Sequence, residues 1–316
     1  MDGAGGDRQP PEDVFGVLSH DRRLEVLRVL EEAREPSSFA ADPLSYSALA
    51  DRVGVRDSGN FNYHLNTLRE GGLVERVDGG YRIRQAGVRI VRAIRAGTIV
   101  DTGGFGTTEI EEPCPYCGGR SAITLVDDWL FVVCLDCPGA FAQDDALPEG
   151  TLAGFEVSPA AVRNRTPIEA FRMAYTLGER VHRLFAAGVC PDCGGTTTTQ
   201  LLERCLDHDV DETGVCGSCG RTTDELLVAS CDVCNRSLMT FPAIVVATDP
   251  EVIAVTYDRG LEVTDRPWRP LAKPPDWPAR YVDTDPVVLE YEIPVPDGDE
   301  VRVRLDETLT VTVLEP

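Results

Sequence analysis

The chain has 316 residues, 42% of them hydrophobic, and a formal net charge of −23. That length supports two or three domains with packed cores. The longest unbroken apolar run, WLFVVC (Trp129–Cys134) continued by Leu135, is far too short to span a membrane. The opening MDGAGGDRQPPEDV lacks the basic start and apolar stretch of a signal peptide, so the expected compartment is cytoplasmic. Thiols there stay reduced, and C-x-x-C pairs read as metal or redox motifs before disulfides.

The charge is unevenly spread. Residues 1–96 hold 15 acids and 14 arginines, whereas the rest of the chain holds 38 acids and 16 bases. Lys273 is the only lysine. An acidic, arginine-only surface resembles that of proteins from extreme halophiles, in which carboxylates serve solvation. Against that background the near-neutral first 96 residues are the part that tolerates a polyanion.

In chain order, residues 1–11 form a Gly/Pro tail expected to be disordered. Val14, Leu18, Leu24, Leu27 and Leu30 recur at helical spacing and predict one helix from Glu12 to Ala33. YSALADRVGV predicts a second helix. DSGNFNYHLNTLREGGLV predicts a third, N-capped by Asp57 or Ser58 and stopped at Gly71-Gly72. LVERVDGGYRIR reads as a hairpin and QAGVRIVRAIR as a closing amphipathic helix. The apolar stripes of the first and last helices serve either as core or as dimer surfaces. Residues 97–109 read as a Gly/Thr-rich linker.

Residues 110–145 carry two short strands between two cysteine pairs. Within 158–188, Thr166-Pro167-Ile168-Glu169 is a capping box opening a helix with the stripe Phe171, Ala174, Leu177, Val181 and Leu184. Residues 189–240 are cysteine-rich. Residues 241–316 combine a short helix starting at Asp249-Pro250-Glu251, a Pro/Trp-rich stretch, and the alternating strands VVLEYEIP, EVRVRLDE and TLTVTVLE. The fold class expected is α+β.

Ten of the eleven cysteines form five C-x-x-C pairs: Cys114/Cys117, Cys134/Cys137, Cys190/Cys193, Cys216/Cys219 and Cys231/Cys234. Cys205 stands apart, in RCLDHD. Eleven residues separate Cys193 from Cys205, and eleven separate Cys219 from Cys231, which places His208 where Cys234 falls in the second segment. On that register His208 completes a C-x-x-H pair with Cys205. The twelve candidate ligands then make three closed sites: Cys114, Cys117, Cys134 and Cys137; Cys190, Cys193, Cys205 and His208; Cys216, Cys219, Cys231 and Cys234. Four thiolate or imidazole donors suit zinc and leave no position open for water, so the expected cofactor is three structural zinc ions in tandem zinc ribbons. A partition of Cys190/Cys193 with Cys216/Cys219 would strand Cys231/Cys234. A thioredoxin-like reading would need a βαβ context and a single pair, and neither is present.

LSHDRRLEVLRVLEE, YSALADRVGV and SGNFNYHLNTLREGGLVERVDGGYRIRQAG together resemble the winged helix-turn-helix domain of ArsR-type transcription regulators, over residues 12–96. N-x-H-L-x-x-L-R-E-x-G-L-V, from Asn62 to Val74, is the most specific part. A winged helix followed by cysteine-rich ribbons is also similar to a group of halophilic archaeal regulators. The resemblance implies a DNA-binding transcription regulator. Its metal-sensing cysteines are not carried over, because residues 1–113 contain no cysteine and only two histidines, His20 and His64.

The residues agree with that expectation. Phe61, Leu65 and Leu68 share one face of the third helix and should pack inward, leaving Asn60, Asn62, Tyr63, Asn66 and Arg69 outside. Amides can read adenine edges, and arginine can grip guanine or phosphate. Arg52, Arg56 and Ser58 flank the turn, and Arg76, Arg82 and Arg84 arm the wing. His64 is expected to hold the recognition helix rather than touch DNA. No Ser/His/Asp set, phosphate loop or open metal site points to an enzyme. The expected partners are double-stranded DNA, a second copy of the chain, and a protein docking on the ribbons, with no membrane. The competing reading is a zinc-ribbon interaction scaffold whose winged helix binds protein.

Overall fold

A computed structural model describes residues 11–33, 42–55, 58–97, 105–141, 146–201, 209, 216–217, 226–263, 277–296 and 298–314. The chain divides into two units, Met1–Asp101 and Thr102–Pro316.

The first unit runs α1 (Pro11–Leu18), α2 (Asp21–Glu32), α3 (Tyr46–Val53), α4 (Ser58–Glu70), β1 (Val74–Val77), β2 (Gly80–Ile83) and α5 (Gln85–Ala96). The single helix expected over residues 12–33 is two helices. His20 takes an extended backbone and its Nδ1 accepts the Arg22 N–H at 3.2 Å, which makes it the N-cap of α2. The Gly16 carbonyl at the end of α1 is capped by Ser19 Oγ at 2.8 Å and by Arg23 at 3.2 Å. Local capping chemistry outweighs the continuous apolar stripe here.

α3 starts at Ser45, whose hydroxyl accepts the Ala48 N–H, and stops at Gly54, with φ 71°. α4 begins at Ser58, so the alternative cap, Asp57, lies outside the described residues, as does the Ser58 side chain. Phe61, Leu65 and Leu68 are buried among Leu27, Leu30, Leu49, Ile83 and Val88. Full burial of a side chain such as Phe61 stabilises by roughly 2–3 kcal/mol. The apolar stripes of α2 and α5 therefore go largely into core. Arg95 ties α5 back to α2 through Glu31 at 2.7 Å and Glu32 at 2.8 Å.

β1 and β2 pair antiparallel from Val74↔Ile83 to Val77↔Gly80. Leu44, just before α3, adds a bridge to Tyr81, with both backbone hydrogen bonds made at 2.8 and 2.9 Å. That closeness needs glycine at position 80, because a Cβ there would overlap the Leu44 carbonyl and φ is 146°.

The second unit contains β3 (Thr108–Ile110), β4 (Ser121–Val126), β5 (Trp129–Cys134), β6 (Thr151–Glu156), α6 (Pro159–Val162), α7 (Pro167–Ala186), β7 (Thr197–Leu201), β8 (Leu227–Cys231), β9 (Ser237–Thr240), α8 (Ala243–Thr248), α9 (Pro250–Asp258), β10 (Ala279–Thr284), β11 (Val287–Pro294), β12 (Glu300–Asp306) and β13 (Val311–Val313). They form three antiparallel meanders, in strand order β3-β4-β5-β6, β7-β8-β9 and β10-β11-β12-β13. The molecule is thus α+β with several antiparallel sheets.

One core runs through all of this. Ile123, Leu130, Phe155, Phe171, Val246, Tyr291 and Val303 belong to a single buried cluster, so the segments read separately as ribbon, connecting helices and C-terminal strands share one interior. The capping box at Thr166 and Glu169 opens α7 as expected. Its stripe is only partly buried. Phe171 and Ala174 are enclosed, whereas Leu177 is 43% exposed. On β11, Leu289, Tyr291 and Ile293 face the core, and Glu290, equally buried, is held between Arg280 and Arg304 on the neighbouring strands. Among the described residues no helix is long and apolar enough to cross a membrane.

Replacing Gly80 by alanine should destabilise the first unit by about 2 kcal/mol or more, through carbonyl overlap and backbone strain. Gly16→Ala, at an exposed helix position with no atom within 4 Å, should be neutral or stabilising by up to about 1 kcal/mol. Thermal unfolding followed by circular dichroism checks the contrast.

Candidate functional site

Two clusters of four cysteines are assembled in the second unit, Cys114, Cys117, Cys134 and Cys137 in one and Cys190, Cys193, Cys231 and Cys234 in the other, each with all four sulfurs within 4.8 Å of one another. The first is the expected set. The second corrects two of the expected sets: Cys190/Cys193 closes with Cys231/Cys234, not with Cys205 and His208, and Cys231/Cys234 is not joined to Cys216/Cys219. The tandem arrangement expected over residues 189–240 is therefore not the one formed, and in sequence Cys205, His208, Cys216 and Cys219 fall between the two cysteine pairs of the second cluster. Cys216 is buried, and Cys205, His208 and Cys219 lie outside the described residues.

Each cluster is built from two knuckles at strand ends. Cys134 ends β5 and Cys231 ends β8. In the knuckle starting at Cys114, the Cys114 N–H reaches the Gly119 carbonyl at 2.8 Å, the Gly118 N–H returns to the Cys114 carbonyl at 2.9 Å, and the Gly119 N–H donates to Cys117 Sγ at 3.3 Å. The knuckle starting at Cys190 repeats all three bonds through Gly194 and Gly195, at 2.9, 3.0 and 3.3 Å. Gly118 and Gly194 both hold the left-handed conformation that closes the turn, with φ 71° and 74°. At the opposite knuckle Asn235, φ 60°, does this work.

The spacing fits a tetrahedral ion. Cys114 and Cys137 sulfurs are 3.7 Å apart and Cys117 and Cys134 3.6 Å. In the other cluster Cys190 to Cys234 is 3.6 Å and Cys193 to Cys231 is 3.5 Å. A tetrahedron with metal–sulfur bonds of about 2.3 Å has edges of about 3.8 Å. A disulfide would be about 2.05 Å, and the cysteines are free. Burial pushes the Cys114 thiol up to about 11 and drives Cys137 upward too. Backbone N–H donors, first that of Cys234, bring Cys231 down to about 7. A divalent cation would balance half the charge of four such thiolates, and four protein ligands leave it no open coordination position.

The clusters are braced from outside. Asp136 accepts the Arg120 backbone N–H at 2.7 Å and its guanidinium at 2.8 Å, joining the two knuckles of the first cluster. Asp232 accepts the hydroxyls of Thr196 and Thr198, at 2.8 and 2.9 Å, and joins those of the second.

In the first unit, α4 exposes Asn60, Asn62, Tyr63, Asn66 and Arg69 on one face. Arg69 donates to Asn66 Oδ1 at 3.0 Å, so two of these polar groups are already organised. Arg52 on α3 and Arg76 on β1 are exposed, and the Arg76 guanidinium lies 6.0 Å from the Tyr81 ring centre. Arg82 and Arg84 are less free than expected. Both engage Glu75, Arg82 at 2.6 Å and Arg84 at 3.4 Å. The Arg82 hydrogen bond leads the effects that hold the Glu75 carboxyl below its usual range. Arg56 and the side chain of Ser58 lie outside the described residues. His64 is buried, its ring centre 4.2 Å from that of His20, with neither ring nitrogen hydrogen-bonded, which fits an internal position on α4.

The chain belongs to the family described as a domain of unknown function (DUF7351), whose model matches residues 111–311. A second model, a domain of unknown function (DUF7347), matches residues 11–94. The two matches follow the division into units. No curated protein and no solved structure matches the chain.

Stripping metal with a strong chelator under reducing conditions should unfold the second unit and spare the first, which contains no cysteine. Hydrogen exchange read by mass spectrometry should show deprotection of β4, β5 and β8, with Phe61 to Leu68 unchanged. Equal deprotection of α4 would reject the separation.

Proposed function

We propose that the chain is a non-enzymatic, DNA-binding transcription regulator of winged-helix type, with structural zinc in its second unit. The observation that carries this reading is the exposed Asn/Tyr/Arg face of α4, backed by Phe61, Leu65 and Leu68. That face lies in the near-neutral part of a chain of net charge −23. α3, a short connection, α4 and a two-stranded hairpin follow the order of a helix-turn-helix with its wing. Asn62 and Asn66 are suited to adenine edges, Arg69 to guanine or phosphate, and Arg76 to the backbone. Arg82 and Arg84 contribute through the Glu75 cluster, whose summed charge is +1. A homodimer would place two such faces on one duplex.

Sequence enrichment from random duplexes by the full chain, across a salt series reaching molar potassium, tests the reading. Asn62→Ala should relax sequence preference, at a cost of roughly 1–3 kcal/mol for a lost bidentate contact. Arg76→Ala should weaken all duplexes alike and reduce the salt slope by about one. Failure to enrich any sequence at any salt would reject DNA binding and leave a protein-binding scaffold.

For the metal, zinc is proposed at both clusters, and a third ion at Cys205, His208, Cys216 and Cys219, the four candidate ligands left by the observed pairing. Elemental analysis of reduced protein should give three zinc per chain, falling to two in His208→Ala. Two zinc in the unaltered protein and in the variant would reject the third site.

A further inference from the structure

The second unit contains a cavity of about 460 Å³ bounded by β5, β6, α7 and β9. Its size falls among pockets that hold small organic molecules. One wall is aromatic. Trp129 and Phe131 project from the same face of β5, stacked with centres 6.1 Å apart and planes 20° from parallel. The wall depends on Gly154 of β6, which pairs with Phe131, because a Cβ at 154 would come within 3.0 Å of the Phe131 ring. Leu177 from α7 and Met239 from β9 also line the cavity. Trp129, Leu177 and Met239 are each between 43% and 45% exposed. Large apolar side chains left half open around one cavity mark a binding surface, and thioether and aromatic groups adapt to flat ligands.

The polar groups at this cavity define the ligand further. His182 Nδ1 lies 2.6 Å from the Gly178 carbonyl, so that nitrogen carries the proton. Burial brings the His182 pKa down to about 4, which keeps the ring neutral near pH 7. Its Nε2 is then an acceptor, and it has no partner among the described residues. Arg236 also lines the cavity, but Glu156 and Asp192 neutralise it, the latter at 3.7 Å. Among the described residues an anion would find no free cation here, whereas a neutral molecule with one hydrogen-bond donor finds a waiting acceptor.

We propose that this cavity binds a flat, neutral aromatic molecule bearing a hydroxyl, its rings against Trp129 and Phe131 and its O–H donated to His182 Nε2. The site does not rest on the DNA-binding reading. It does rest on the metal centre, because β9 follows directly from the Cys231–Cys234 knuckle, whose Cys231 N–H is bonded to the Arg236 carbonyl at 2.8 Å.

The test is calorimetric titration of the reduced, metal-loaded full chain with 2-naphthol, and with 2-methoxynaphthalene, which keeps the rings but has no donor. Saturable one-to-one binding is expected, with 2-naphthol favoured about fivefold for the extra hydrogen bond. His182→Phe should bring that ratio to about one. Leu177→Trp and Met239→Trp, at half-exposed positions, should fill the cavity and weaken both probes at least about tenfold, with zinc content and circular dichroism unchanged. Absence of saturable 2-naphthol binding, equal affinity for the two probes, or unchanged binding in both tryptophan variants would each overturn the proposal. If His182→Phe loses zinc or fold, the two tryptophan variants decide it.

Discussion

Four sulfurs within 4.8 Å of one another, unbonded, are the constraint on which the second unit depends. Thiolates that close repel, and thiols that close leave weak donors with little to bind. A divalent cation at the centre resolves both problems. Once it is in place, the ends of β5 and β8 are fixed, and the meanders that carry them follow from register. Ser121↔Cys134 sets β4 on β5, and Thr197↔Cys231 sets β7 on β8. Both sheets then pack into the core that also holds α7, α8 and the last four strands. A chain with 38 acids outside its first 96 residues pays for compaction in self-repulsion, and a cation at each cluster would pin the chain against that repulsion through its bonds to the four sulfurs.

The local chemistry of both clusters and the pairing of the first were readable in the sequence, and the pairing of Cys190/Cys193 with Cys231/Cys234 was not. A C-x-x-C followed by glycine is a local knuckle signal, because the turn takes the left-handed conformation that glycine adopts freely, as Gly118 and Gly194 do. The grouping went wrong because two equal eleven-residue spacers suggested a tandem repeat. A better signal was present. CPYCGG at Cys114 and CPDCGG at Cys190 share a pattern that opens both observed clusters, whereas Cys134/Cys137 and Cys231/Cys234 close them. Asn235, the residue other than glycine most at ease in that turn, also marks Cys231/Cys234 as a knuckle of its own. A loop-length preference misled here because closing a longer loop costs little more entropy, so thirty-seven intervening residues hold a cluster nearly as well as sixteen.

Helical periodicity was similarly reliable about which faces bury and less so about where helices stop. Phe61, Leu65 and Leu68 went inward, as their spacing required. The break at Ser19-His20 did not show, because the apolar stripe runs through it while Ser19, His20 and Arg23 satisfy the backbone ends. β10 was hidden for a different reason: ARYVDT buries little, and its place is set by pairing with β11 rather than by its own pattern.

Leu177 shows how such a mismatch carries information. By spacing it belongs to the buried stripe of α7, with Phe171 and Ala174 before it, yet it stands half open. A helix that presents a leucine to an unfilled space forgoes roughly 1 kcal/mol or more of burial. The same holds for Trp129 and Met239, on separate strands. Three elements from two sheets and a helix each leave one large apolar side chain uncovered, and all three line the same cavity. Other large apolar side chains are exposed elsewhere, Phe15 and Val233 among them, but these three share one cavity. Their convergence on one cavity, with a neutral histidine acceptor on its wall, is the observation on which the proposed ligand rests.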